Sequence, residues 1–250
     1  RRELLAAQTP EAMADFHRRL YGANRCVLAL CGGADFLQLK EGIAASALAQ
    51  LGAIDEPPPP PALAVQPGLH RITVPRLESA RLLMLWGLPP ASDLHGVMGA
   101  DLLTTVLAEG RRSRLVERLR EQLRIVESID LDLHVMESGS FALLEAICEA
   151  DELGAVHRAI AQVWAELQEQ GLTKPEWLRA QRLVANGYRF GLEAAGGLAG
   201  LIGNNRLWGR HQALALPLAE IESWSSQDLL GQVVPLLDPS RACVLEAVPA

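Results

Sequence analysis

Gly110-Arg111-Arg112-Ser113-Arg114-Leu115-Val116-Glu117-Arg118-Leu119-Arg120-Glu121 sits at the centre of residues 94–136, and the rest of the chain is read outward from it. Before it, Met98, Leu102 and Val106 stand four apart with Leu103 and Leu107 beside them, the pattern of an apolar helix. Gly110 breaks that pattern. Leu115, Leu119 and Leu123 then fall four apart on one stripe of a second, arginine-rich helix. The period next changes to two. Ile129, Leu131, Leu133 and Val135 alternate with Ser128, Asp130, Asp132 and His134, as on a half-buried strand. The order is helix, short helix, strand.

Upstream, Leu69–Val74 and Ala80–Trp86 read as strands, and Pro89-Pro90 leads into the helix from Leu94. Downstream, Glu137–Ser140 reads as a turn and Phe141–Cys148 as the return strand of a hairpin. Asp151 opens a helix that Gly171 ends. Thr173-Lys174-Pro175-Glu176 is a capping box ahead of a long helix through Trp177, Leu183 and Tyr188. Further helical segments start at Leu216 and Ser225, and Arg241–Val248 reads as a closing strand. Glycines between Gly191 and Gly203 predict a close helix contact or a mobile helix, ending or kinking at Asn204-Asn205.

The first 56 residues read as helix, strand, helix. Thr9 and Pro10 start a helix carrying Ala12, Phe16 and Leu20; Arg25–Leu30 is an apolar run expected to be a buried strand; a helix spans Leu37–Leu51. Prolines fill positions 57–61. A stiff spacer over 57–65 is the first reading of that run, and a proline-rich ligand of a signalling domain the second. The expected organisation is therefore 1–56 as the end of a first repeat, 57–65 as linker and 66–250 as a complete second repeat. The ending at 9–31 is echoed at 226–245, where a capped helix again precedes an apolar strand.

The chain has 250 residues, 49% apolar, and a net charge of -7. A general nucleic-acid binder would carry a basic field, so that class is excluded. No stretch reaches the eighteen apolar residues of a membrane span. Cys26, Cys31, Cys148 and Cys243 form no Cys-x-x-Cys pair and are expected as buried free thiols. That fits a reducing compartment, so a cytoplasmic location is the first expectation and a periplasmic one the second. The chain starts inside a domain pattern without a methionine, as a piece of a longer protein would.

The central stretch resembles the second-half repeat of the pitrilysin/insulinase/mitochondrial processing peptidase family of zinc peptidases. That family often reads Gly-x-Ser-Ser-Arg-Leu, then Leu-Arg-Glu, then Gly-Leu-Ala-Tyr and a strand. Gly110, Ser113, Arg114, Leu115, Leu119, Arg120 and Glu121 match in order and spacing. Phe16, Tyr21 and Asn24 approximate the family's repeat ending. Gly-Leu-Ala is replaced by Arg124-Ile125-Val126, and Glu127 stands where the tyrosine belongs. The resemblance implies an α+β fold, a mostly antiparallel sheet covered by helices, of the processing peptidase type.

The family's zinc motif, His-x-x-Glu-His on a helix, sets two imidazoles one turn apart with a general base between them. This chain has six histidines, no two within ten residues, so it is expected to hold no zinc and to be inactive alone. His134-x-x-Glu137 falls on a strand, where residues three apart face opposite sides. The resemblance implies zinc in a preceding half or in a partner chain, with this chain enclosing a peptide substrate against that half as part of a single chain, a homodimer or a heterodimer. An inert scaffold subunit, as some relatives are in respiratory complexes, is the alternative. Arg120 aligns with the family's substrate-contacting arginine, whose planar fork suits a peptide carbonyl or carboxylate. Its tyrosine partner is replaced by Glu127, whose charge would oppose an oxyanion. Other readings of Arg120 are a solvated face laced with ion pairs, or a direct pair with Glu127.

Overall fold

The alternation at 129–135 forms an edge strand, and its inward residues Ile129 and Leu131 are buried. The computed structural model describes residues 2–56, 61–211 and 213–250. The chain divides into two compact units, a larger one of Pro61–Phe190 with Ala213–Ala250 and a smaller one of Arg1–Pro60 with Gly191–Gln212.

In the larger unit, five strands, β1 (Gly68–Val74), β2 (Ala80–Leu88), β3 (Ser128–His134), β4 (Ser140–Cys148) and β5 (Cys243–Pro249), pair in the order β1-β5-β2-β4-β3. β1 and β5 run parallel; the other pairings are antiparallel, with Ala80 opposite Cys148 and Leu88 opposite Ser140 in the central pair. This is the expected α+β architecture. One face of β2 (Ala80, Leu82, Met84, Trp86, Leu88) and one of β4 (Ala142, Leu144, Ala146, Cys148) are buried, as period-two alternation dictates. β1 is exposed along most of its length.

The buried helix of this unit, Leu94–Ala108, is apolar nearly all round because it is covered on both sides, by β2 and β3 and by the helix Leu216–Ser223 with the turns that follow it. Gly99 is the contact point: a Cβ there would lie 2.5 Å from the ring of Trp224 and 3.0 Å from Val233. Helix Leu153–Gln170 brings Trp164 onto Trp86, ring centroids 6.0 Å apart. Gly171, at φ 71°, ends it. The long helix Lys174–Glu193 follows, its start tied as the capping box predicts: the backbone N–H and hydroxyl of Thr173 donate to Glu176 Oε2 at 2.9 and 2.7 Å. Most of the proline run, 57–60, lies outside the described residues. The residues after it, 61–67, pack against this unit, with Val65 against Gly87 and Leu63 against Gly139.

The smaller unit holds helices α1 (Arg2–Ala6), α2 (Pro10–Leu20) and α3 (Phe36–Ala44), an irregular segment between α2 and α3, and Ala195–Leu207, α7 in the full chain order. The four helices of the larger unit already given are thus α4 (Leu94–Ala108), α5 (Leu153–Gln170), α6 (Lys174–Glu193) and α8 (Leu216–Ser223). Thr9 caps α2 as expected, accepting from the Ala12 N–H at 3.2 Å. Several sequence expectations are corrected. Residues 25–30 are not a buried strand: Arg25 ends a short 3-10 turn, no described strand pairs with the residues after it, and Val27, Leu28 and Leu30 are exposed. Cys26 and Cys31 are therefore exposed, while Cys148 is buried. The helix expected over 37–51 stops at Ala44, because Ser46 starts a new short turn by accepting from the Leu48 N–H. The helix with Gly203 runs through Asn204-Asn205 to Leu207 instead of ending there, and the close neighbour of Gly203 is not another helix but Ala29 of the irregular segment, 3.2 Å from where a Cβ would stand.

Candidate functional site

The matched residues of the central stretch build a corner before they build any chemistry. Gly110 turns the chain after α4 at φ 78°, a conformation in which a Cβ crowds the backbone. Ser113 is fully buried and its Oγ donates to Gly110 O at 2.6 Å, while its own carbonyl accepts from the Glu117 N–H at 2.8 Å. Leu115 and Leu119 are fully buried. Arg114 reaches across to the corner between α5 and α6. Its Nε donates to Glu176 Oε1 at 2.7 Å, and its Nη2 to Glu176 Oε2 at 3.1 Å and to Gly171 O at 2.7 Å. Burial alone would raise the Glu176 carboxyl, but hydrogen bonds from Arg114 and Thr173 outweigh it and hold it down at about 2.

The expected second helix is a π-helix, Val116–Gln122, whose wider turns still bury Val116 and Leu119. Its surface is a lattice of ion pairs: Arg118 with Glu166 at 2.9 Å, Arg111 with Glu121 at 2.7 Å, and Arg120 with Glu121 Oε1 at 3.0 Å. Arg120, 38% exposed at its side chain, therefore has its fork turned to a sequence neighbour. Glu127 does not pair with it. Its carboxylate accepts from Ser79 Oγ at 3.0 Å and its N–H donates to Ile147 O at 2.8 Å, which fixes it at the start of β3. A direct Arg120–Glu127 pair is thus absent.

The histidines are scattered among local partners. His17 stacks on Tyr21, His134 on Phe141 and His95 on Trp224. His95 also bonds Glu220 at 2.7 Å, and His157 bonds Glu246 at 3.0 Å. No group of three His, Cys, Asp or Glu side chains suited to a metal forms among the described residues, so the residues present do not fit the family's zinc. No helix of the described residues is long and apolar enough to cross a membrane.

One cleft escaped the sequence reading. It lies between α4 and α6, has a volume of about 330 Å³, and counts Asp101 and Glu109 among its lining residues. The available signal was Asp101 itself, the one acidic residue in the apolar run Leu94–Ala108.

Residues 8–184 match a family model described as the peptidase M16 inactive domain. An uncharacterized zinc protease of Mycobacterium leprae is 23% identical over 224 residues, covering 88% of this chain and 50% of its own length. The chain thus spans about half the length of the curated relatives it matches. A protease from Helicobacter pylori superposes with a TM-score of 0.82 at 16% identity, over 98% of this chain and 60% of that one. A peptidase M16 inactive domain from Pseudomonas fluorescens does so at 0.80 and 17%, over 98% and 58%.

Proposed function

Because the chain belongs to the peptidase M16 inactive-domain family, we propose that it is the zinc-free portion of a peptidase of this kind and encloses a peptide substrate against a zinc-bearing half. The observation that carries this reading is the family match over residues 8–184 in a sequence whose six histidines never come within ten residues of one another. The chemistry of hydrolysis, a metal-bound water and its general base, would belong to that other half, preceding this chain or in a partner. On this reading residues 1–56 close a first repeat and 66–250 form the second.

Two features support it. The smaller unit presents apolar side chains, Met13, Phe16, Val27, Leu28 and Leu30, along α2 and the unpaired segment after it, the kind of surface that another part of a repeat would cover. Arg120 keeps a partly exposed fork that could exchange Glu121 for a peptide carbonyl. The scaffold reading is favoured by one observation: Glu127, in place of the family's tyrosine, is committed to Ser79 and offers no hydroxyl to a developing oxyanion.

The two readings separate in one experiment. The chain is mixed with the zinc-bearing half, and hydrolysis of unfolded peptides is followed. Turnover that requires both pieces supports enclosure. A stable complex in which this chain leaves the zinc-bearing half's turnover unchanged establishes the scaffold instead.

A further inference from the structure

We propose that the cleft between α4 and α6 is a binding site for a cation carried on an aliphatic stem, a primary ammonium or a guanidinium. Met98, Asp101 and Thr105 form one stripe of α4, spaced three and four apart, and they face Leu183, Val184, Gly187 and Tyr188 on α6. Ile221 of α8 joins the lining. The space is about 330 Å³, within the range of small-molecule sites. Its chemistry is graded. Aliphatic side chains supply walls for a hydrocarbon stem, and Tyr188 supplies an aromatic ring that favours a nearby cation. Tyr188 Oη is already engaged, donating to Leu214 O at 2.7 Å, so the ring is held in place.

The charge in this cleft is negative and unanswered. Asp101 is half-buried and Glu109 stands at the exposed end. Neither takes part in any ion pair formed by the described residues. The arginines of the facing helix are committed elsewhere: Arg179 donates to Glu109 O at 2.8 Å and to Thr105 O at 3.4 Å at the end of α4, Arg182 to Leu178 O at 3.2 Å and Arg189 to Asn186 Oδ1 at 3.3 Å. On α8, Glu220 is taken up by His95. Burial first, and the neighbouring Glu109 second, raise the Asp101 carboxyl to about 6. A cation in the cleft would relieve both causes. A structural carboxylate of this kind ordinarily has a built-in partner; this one opens onto a cavity.

Gly187 supplies the means of testing the cavity apart from the charge. A Cβ at that position meets nothing within 4 Å. Gly187→Phe should occupy the space and leave both carboxylates in place. The probes are n-butylammonium, Nα-acetyl-lysine amide, Nα-acetyl-arginine amide and the neutral n-pentanol, titrated into the full chain at pH 7.5 with backbone amide NMR shifts as readout.

The expected result is saturable shifts confined to α4 and α6 for at least one cation, with pentanol at least tenfold weaker. Asp101→Asn should weaken the cation at least tenfold, and Gly187→Phe should abolish it. Tight binding of butylammonium identifies a free amine as the natural source; binding of the amino-acid amides alone identifies a peptide side chain. Equal response to pentanol and butylammonium, or full affinity in Asp101→Asn, overturns the proposal. The outcome is independent of the zinc-bearing half.

Discussion

Arg114 is predicted to hold the two ends of the larger unit's helical layer together, and replacing it should cost measurable stability without touching the sheet. Arg114→Leu removes three charge-assisted hydrogen bonds, two to Glu176 and one to Gly171 O. The side chains of the pair are only 17% and 22% exposed, so water replaces the lost partner poorly. Moving a carboxyl from 4.5 to about 2 corresponds to ~3 kcal/mol between its two protonation states. Thr173 supplies part of that and residual water contact screens it, so we expect about 2 kcal/mol from losing Arg114. The sign with pH follows from the depressed folded value. The stabilisation is present above 4.5 and is lost as pH falls toward about 2. Urea unfolding of wild type and Arg114→Leu should therefore differ by about 2 kcal/mol at pH 7, with a midpoint temperature lower by about 4–8 °C. The gap should shrink steadily below pH 4.5, to well under half its neutral-pH size by pH 2.5. A gap below about 0.5 kcal/mol at pH 7, or one that stays constant down to pH 2.5, would refute the assignment of Arg114 as the clamp.

Three further outcomes are expected. Gly99→Ala should destabilise by about 1–3 kcal/mol in chemical denaturation, because its Cβ would enter the ring of Trp224, which is buried and hydrogen-bonded to His95 O at 3.0 Å. Asp101→Asn should stabilise at pH 8 by roughly 2–3 kcal/mol and have no effect near pH 3.5: the raised carboxyl favours folding fully below 3.8 and loses that contribution as pH rises through about 6, a loss the amide avoids. Arg120→Ala should leave stability within about 0.5 kcal/mol of wild type, since its partner is the adjacent, partly exposed Glu121; on the enclosure reading it should weaken unfolded-peptide capture by the assembled peptidase, and unchanged capture would remove Arg120 from that role.

The parts of this fold that were legible in the sequence are those fixed by local rules. Ile129–Val135 alternates because one face of β3 is buried, and Thr173–Glu176 caps because a helix start leaves N–H groups to satisfy. The ordered motif from Gly110 to Glu121 indicated the fold because Gly110, Ser113, Arg114 and Leu115 make the corner itself. Non-local facts were hidden. An apolar run becomes a strand only beside another strand, and residues 25–30 have none among the described residues. Leucines four apart do not distinguish α from π turns over so short a segment as Val116–Gln122. Nothing in the spacing of Arg120 showed that Glu121, rather than Glu127, would take its fork. The cleft at Asp101 depends on how far α6 stands from α4, which no single helix pattern encodes.

On the proposed reading this chain supplies a wall around a peptide and none of the metal chemistry. The most direct measurement is metal content and peptide turnover of the purified chain, alone and then with the zinc-bearing half. We expect no stoichiometric zinc and no hydrolysis from the chain alone, with hydrolysis appearing when both halves are present. One zinc per chain together with turnover by the isolated chain would contradict it.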